Sequence, residues 1–447
     1  MSAICRQPGT RGGGAGFSTV HCAGQGRVPA EWRRKQAAPR LTAVPILPPP
    51  PTGDAVVDWV AEHLGDLCGE PPRASTIRGG QAAADAALAT LDLTGYASRR
   101  SAVLPVEQRG ATRLSPYIRH GLISLPQVWA AAGSAPGRDR QKFRDELLWQ
   151  EYARHLYARL GARTAQELRA EQPRPAPWED PWPREMACMA FVRDELETDG
   201  WLVNQTRMWV ASQWSVRAGH DWRAGEDVLY RGLLDGSRAA NRLGWQWTVG
   251  TGSGKAYGFS RWQVEKRAPQ LCAGCPLRDS CPIQGWPAAE LGAQVPPPDG
   301  LLDGRTESGP ATTEQVGEPE IVWLTAESLG SDDPASTAHP ELPRVFVFDE
   351  PLLRTLRLAG IRLVFLAQAL AELDVEVRRG DPVEELAGRR LAVTYAPVPG
   401  FRRRSRRLDV VSTHPWPWLV RPGSGSLRSY SAWRKSHPGV MAENKPG

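Results

Sequence analysis

The chain has 447 residues, a formal net charge of +6 and a pI near 9.0. That length can hold two or three domains, and the mild positive excess suits a polyanionic partner without demanding one. No run of 18 apolar residues occurs and the N-terminus has no apolar leader core, so the sequence excludes a helical membrane protein and predicts a soluble, cytoplasmic chain with no membrane partner. Tryptophan is the unusual residue: 18 are present and 12 of them fall between Trp129 and Trp286. Such clustering belongs to one domain and points to ligand stacking, electron transfer or a single aromatic core. The seven cysteines give an odd count, and three of them cluster, which in a reducing compartment points to ligands rather than disulfides.

Residues 1–52 are rich in Gly, Arg and Pro, end in ILPPPP and read as disordered; Cys5 and Cys22 lie there without a role. A short amphipathic helix, Val56 to Leu67, opens a region at 53–284 that is almost wholly helical. AAADAALATLDL, LPQVWAAA, KFRDELLWQEYARHLYARLG, AFVRDELETDGWLVNQTRMWVASQWSV and GEDVLYRGLLDG all repeat apolar residues at 3.6-residue spacing. Residues 285–318 are rich in Pro, Gly and acid and read as a linker.

Beyond the linker the pattern changes. EIVWLTAE and PRVFVFDE are short apolar runs like buried parallel strands; LRLAGIRLVFLAQALAEL is a helix, DVEVRRGD a strand end, PVEELAGRR a helix and LAVTYAPV a strand. The alternation predicts a small doubly wound parallel-sheet domain at 319–422. FRRRSRR at 401–407 reads as a solvated loop, with a nucleic-acid contact as the sharper alternative. Residues 423–447 read as a tail. The fold class is therefore mainly α with a second α/β domain.

Within the helical region, GATRLSPYIRHG puts Thr112, Arg113 and Ser115 just before a helix, where hydroxyls and free N–H groups suit a phosphate, although Ser there is also an ordinary N-cap. DELLWQEYARHL puts Glu146 and Trp149 three apart on one helix face, either an acid and a stacking ring at a base or a plain amphipathic helix. Trp201 to Gly252 holds five tryptophans besides its first residue, with apolar positions Trp209, Val210, Trp214 and Val216 at helical spacing. Taken alone, it is an aromatic helix pair of the core.

The order of these pieces carries more. Tyr96, TRLSPY, ELLWQEYARHL, GWLVNQTRM, DW, DGSRAANRLGWQW and GTG, taken in sequence, resemble the FAD-binding domain of the DNA photolyase and cryptochrome family over 79–287. The resemblance implies that Tyr96, Thr112, Arg113, Leu114 and Ser115 hold the FAD pyrophosphate and ribityl chain. It implies a buried ion pair, Arg207 with Asp235, beside the isoalloxazine ring, and Asn241 facing flavin N5. Trp245 matches the Trp nearest the flavin and Trp222 the next in an electron-transfer chain; Trp178 and Trp182 are candidates for the third. Glu146, Trp149, Asn204, Met208 and Trp247 match the lining of a pocket for a flipped pyrimidine dimer. Met208 resembles the cyclobutane-specific members. Ser237 departs from the family's usual second Asp among the cofactor positions, Gln205 from its HNR triplet, and REMACMAF stands in place of TGYPxVDA.

Cys272-x2-Cys275-x5-Cys281, with Pro after the third, suits a thiolate-bound iron–sulfur cluster; zinc would need a fourth Cys or His, and unliganded thiols are the plain alternative. The pattern is similar to the iron–sulfur bacterial cryptochromes and photolyases, which implies a [4Fe–4S] cluster on Cys188, Cys272, Cys275 and Cys281. The strands after residue 319 look like the family's α/β antenna domain, moved from the N-terminus to the C-terminus as in a circular permutation; these residues do not specify an antenna chromophore. The resemblance implies a monomeric, blue-light-dependent photolyase that splits pyrimidine dimers in damaged DNA. The alternatives are a cryptochrome-type photoreceptor without repair, and a flavin-binding remnant serving as an interaction domain.

Overall fold

The computed structural model describes residues 46–439, so the segment read as disordered lies, up to residue 45 and with Cys5 and Cys22, outside the described residues. The first helix, α1 (Ala55–Leu64), buries Val56, Trp59, Val60 and Leu64, an i, i+3, i+4, i+8 stripe on one face. That face turns toward the sheet: Trp59 lies 6.3 Å from Phe348, and Asp66 just beyond the helix receives both Nη atoms of Arg379.

The long helix α2 (Gly137–Leu160) runs through the helical unit and buries Phe143, Leu147, Leu148, Tyr152 and Leu156. Around it stand α3 (Ala187–Asp199), α4 (Asn204–Ala211), α5 (Trp222–Gly232) and α6 (Arg238–Val249), followed by α7 (Arg261–Arg267). The single helix expected across NQTRMWVASQWSV changes form: α4 gives way at Ser212 to a π-helical turn, Ser212–Arg217, which carries Trp214. Such turns recur at functional sites because they push one side chain out of the regular helical row.

The second unit is a six-stranded sheet in the order β1-β6-β5-β2-β3-β4. Its strands are β1 (Glu314–Gln315), β2 (Ile321–Leu324), β3 (Arg344–Asp349), β4 (Glu376–Gly380), β5 (Leu391–Thr394) and β6 (Val410–His414). All neighbours pair parallel except the edge strand β1, which is antiparallel to β6. β2 and β5 are buried throughout, as expected for parallel strands covered on both faces. Connections run outward from β2 to β3 and β4, then cross back to β5 and β6. The switch point of this doubly wound sheet therefore lies between β2 and β5.

Three local expectations need correction. LRLAGIRLVFLAQALAEL is not one helix: Arg357 takes φ +50° and the chain restarts as α8 (Gly360–Leu370), every residue of which is buried. FRRRSRR is not a loop throughout: its first five residues belong to α9 (Pro399–Ser405), with Arg402 paired to Glu307 and Arg404 to Asp349, while Arg403, Arg406 and Arg407 are exposed, Arg406 3.6 Å from Glu307. The segment 423–447 is more than a tail: its described part forms α10 (Tyr430–Lys435), and its Trp433 is 1% exposed. The strand β6 lies beyond those expected from the sequence.

Candidate functional site

One deep cavity in the helical unit gathers most of the residues that the sequence singled out. Tyr96, Thr112, Arg113, Leu114, Ser115, Arg207, Asp235, Ser237 and Asn241 all line it. So do Glu146, Trp149, Asn204, Met208 and Trp245. Two expected residues are not part of its wall. Trp222 is fully buried behind it, and Trp247 is 40% exposed, its ring 6.0 Å from Tyr257.

The charged centre of the cavity is Arg207 with Asp235. Arg207 Nη1 and Nη2 donate to Asp235 Oδ1 and Oδ2 at 3.1 and 2.8 Å, and its Nε donates to the Leu202 carbonyl at 2.9 Å. The bidentate geometry fixes both groups in the plane of the fork. The loop bearing Asp235 is held from the other unit. Arg362 of α8 donates to the carbonyls of Tyr230 and Gly236, which flank that loop, and lies over the Tyr230 ring at 5.1 Å. Complete burial pushes the Arg362 guanidinium down to about 10. Gly236 has no room for a side chain: a Cβ there would come 2.5 Å from the Tyr230 carbonyl oxygen and 2.6 Å from Arg362 Nη1. Nothing local to the site points to Arg362, which lies 127 residues past Asp235 in the other unit.

Several buried polar atoms here lack a partner within the protein, among them Asn241 Nδ2 and Trp245 Nε1 on the cavity wall. Unsatisfied buried donors are costly and mark places where a bound group completes the hydrogen bonding. An FAD ring edge would supply such acceptors, so the residues present fit that cofactor. Arg113 adds a second mark: it holds φ +56°, a left-handed backbone that a non-glycine residue adopts only under constraint. Its guanidinium lies 5.2 Å over the Trp201 ring and 3.5 Å from Asp199. Burial raises the Tyr96 hydroxyl well above the usual phenol range. Glu146 is tied to Arg100 and Lys142 at 3.1 and 3.3 Å. Asn204 Nδ2 reaches Met208 Sδ at 3.9 Å.

The sheet unit also contributes wall. Glu327, Pro397 and Val398, just past the carboxyl ends of β2 and β5, line the same cavity with Trp416. These ends flank the switch point of the sheet, where ligand crevices of such folds lie. Glu327 is bonded to Arg119 at 2.8 Å, and the His120 ring sits with Nδ1 2.7 Å from the Ala326 carbonyl and Nε2 3.1 Å from the Leu234 carbonyl. Burial, then the nearby Arg119 and Arg362, push His120 down to about 3, and a neutral ring donates to only one of these two carbonyls.

The indoles continue away from the cavity by a route the sequence did not reveal. A Cβ on Gly225 would come 2.3 Å from Trp245 Cη2 and 2.9 Å from Trp214 Cδ1, so both rings reach its bare backbone. Trp214 in turn lies 4.7 Å from Trp182, whose Nε1 donates to the Val210 carbonyl. Spacing could not find Trp214 here, since it depends on an absent side chain eleven residues away and on the π turn.

The four cysteines Cys188, Cys272, Cys275 and Cys281 line a second, smaller cavity with Met186, Val264, Leu271 and Ile283. Burial first, then its three thiol neighbours, raise Cys188, and burial raises Cys272 to about 11. Among the described residues no three His, Cys, Asp or Glu side chains close on one point as ligands of a single ion do. The thiols instead ring an apolar void. Cys68 is a buried thiol elsewhere, its Sγ against the Leu64 carbonyl at 3.4 Å.

Comparison with known proteins adds to this geometry. Residues 143–269 match the family model described as the FAD binding domain of DNA photolyase. A deoxyribodipyrimidine photo-lyase of Thermus thermophilus is 30% identical over 227 residues, which are 47% of this chain and 51% of that protein. The Synechococcus enzyme of the same name is 30% identical over 168 residues, 32% and 33% of the two chains. The chain thus spans between a third and a half of these curated relatives. Among solved structures, a class III photolyase from Agrobacterium tumefaciens is 25% identical over 42% of this chain and 43% of that one, with a TM-score of 0.36. A Synechocystis cryptochrome is 20% identical over 44% and 46%, with a TM-score of 0.40. At those scores the structural likenesses carry no argument. Residues 143–269 of the helical unit are thus similar to the FAD-binding domain of DNA photolyase, and the similarity to whole photolyases extends over about half of the chain at most. Among the described residues no helix is long and apolar enough to cross a membrane.

Proposed function

We propose that this protein is a light-dependent photolyase that binds FAD in the helical cavity and splits pyrimidine dimers in damaged DNA. The observation that carries this reading is the convergence of all nine expected cofactor residues and four of the five expected lesion residues on one cavity. FAD, when bound there, supplies a light-driven one-electron donor. The chain supplies position and environment. Arg207 and Asp235 neutralise each other beside the ring site and hold its polar edge, and the Asn241 amide offers an unspent N–H. Trp149, Met208 and Asn204 form the outer wall that would receive an extruded base step, Trp149 by stacking. Trp245, Trp214 and Trp182 give a line of indoles that can restore an electron to the cavity from outside; Trp222, buried with its Nε1 unpartnered, is the alternative second member.

Cys188, Cys272, Cys275 and Cys281 would hold the [4Fe–4S] cluster of this reading, supported by four thiols around one void. Its chemistry would be electron storage near α3, outside the dimer-splitting step. Iron and sulfide content of anaerobically purified protein tests it: loss of both in Cys272→Ala with FAD retained supports the cluster, and stoichiometric zinc refutes it.

The central experiment illuminates reduced protein with oligonucleotides bearing a cyclobutane or a (6-4) lesion. Lesion loss under blue light and none in the dark is expected for the cyclobutane probe. Lesions that persist while the flavin photoreduces would instead make the protein a photoreceptor.

A further inference from the structure

Three tryptophans of the helical unit remain exposed: Trp247 at 40%, Trp262 at 56% and Trp286 at 58%. A lone exposed ring needs no explanation, but linked ones do. Trp247 stands two residues past Trp245 on α6 and is not part of the cavity wall. Its ring is 6.0 Å from that of Tyr257. The next residue is Gly258, where a Cβ would come 2.7 Å from Trp286 Cε3, so Trp286 rests on bare backbone. Trp286 is 6.2 Å from Trp262 on α7. The rings therefore form one strip, which starts on the helix whose Trp245 lines the cavity.

Cations are interleaved with the rings. Lys266, one turn past Trp262 on α7, holds Nζ 4.8 Å over its ring. Lys255 is exposed in the turn before Tyr257. Among the described residues neither lysine has a carboxylate partner, and nearby Glu265 is engaged by Arg261 at 2.7 Å. Tyr257 is anchored from beneath: Gln205 and Gln263 donate to its Oη at 3.0 and 2.6 Å. Ring faces set beside ammonium groups that no carboxylate neutralises are what a strand with unstacked bases and a phosphate backbone meets.

We propose that Trp247, Tyr257, Trp286 and Trp262, with Lys255 and Lys266, form a stacking track for the unpaired nucleotides that flank a base taken into the cavity. The proposal rests on the reading that the cavity receives a flipped lesion from DNA. It extends the contact beyond the lesion itself, along one side of the strand. The track explains why Gln205 stands where the family triplet carries a charge: it supports Tyr257 instead.

Fluorescence anisotropy decides it with three probes: a cyclobutane-bearing single strand with long flanks, the same strand with one flank trimmed, and an undamaged single strand. The Trp262→Ala/Trp286→Ala double variant should lose affinity for the long-flank strand and the undamaged strand by on the order of tenfold or more. It should bind the strand trimmed on the track side as the native protein does, with FAD content and photoreduction unchanged. Gly258→Ala should act in the same direction, since it displaces Trp286 without demanding a left-handed backbone. Unaltered affinity of the double variant for all three probes, with Trp149→Ala still weakening lesion binding, overturns the track and leaves the photolyase reading standing. A native protein that binds none of the three probes defeats both.

Discussion

The helical and sheet units bury their polar groups in opposite ways. In the helical unit Trp209, Trp222 and Trp245 leave their indole N–H unpartnered, as do Asn241, Gln213 and Ser215 their side-chain atoms. In the sheet unit the one such atom among the described residues is Trp416 Nε1, on the wall of the shared cavity. Its buried carboxylate Asp333 is instead fully used as an N-cap, receiving the Ser336 N–H and hydroxyl at 3.0 Å. A unit that closes on itself is a scaffold. Of the open donors, Asn241 Nδ2 and Trp245 Nε1 lie on the cavity wall, where a bound group would complete them. The difference teaches where chemistry resides before any ligand is considered.

The sharpest way to break the comparison is at Asp235. Asp235→Ala leaves Arg207 as an uncompensated, mostly buried charge, a loss of about 3–5 kcal/mol. The protein should be purified colourless and melt well below native, read by visible absorbance and thermal unfolding. Phe348→Ala should cost a similar amount, about 3–5 kcal/mol, by emptying the sheet core where Phe348 is 2% exposed. There the flavin should stay at full occupancy in the fraction that remains folded, and a colourless variant would dissolve the distinction between the units.

Arg362→Met tests whether the scaffold reaches into the site. It strips donors from the Tyr230 and Gly236 carbonyls, about 1–3 kcal/mol in all. Flavin affinity should fall more than that of a surface control, measured by titration of the apoprotein; unchanged affinity would confine α8 to packing.

At neutral pH the smallest effect is that of His155, which shows only on the acid limb. His155 Nδ1 accepts from Trp433 Nε1 at 2.9 Å, and its Nε2 faces the Val420 carbonyl at 2.8 Å. A neutral ring satisfies both, whereas a proton on Nδ1 would oppose the indole N–H. Burial, with His437 and Arg159 nearby, holds this imidazole down to about 3. Its folded pKa lies below the unfolded value of about 6.5, so the stabilisation is complete above pH 6.5. It declines by about 1.4 kcal/mol per pH unit below that, until the folded value is reached. His155→Gln should flatten the acid limb of stability against pH by that one proton's share, with the change strongest in protease sensitivity around α10. An identical slope would mean that the ring is protonated in the fold.

How much of this was legible follows from which contacts are local. The helical grammar of 137–160 and 187–249 and the strand runs after 319 were readable because periodicity is written within each segment. The cavity residues were readable only through their order, since Tyr96 and Asn241 share a wall but no local pattern. The Trp214 step was hidden because it turns on Gly225 having no side chain. The pairing of Arg402 was hidden because its partner Glu307 lies in a stretch of Pro, Gly and acid that gives no periodic signal. Arg362 was hidden because its targets are backbone carbonyls, which no sequence pattern marks.

The position of α1 sets an order on synthesis. Its apolar stripe and the segment before it pack on groups made nearly three hundred residues later: Ile46 bridges to Arg378, Trp59 meets Phe348, and Asp66 receives Arg379. While the ribosome is still building the helical unit, this first amphipathic helix has no face to bury against. It must wait for β3, β4 and α8 to emerge, so its burial depends on contacts made across about three hundred residues. Such long-range closure slows folding and prolongs exposure of Trp59 and Val60 to chaperones.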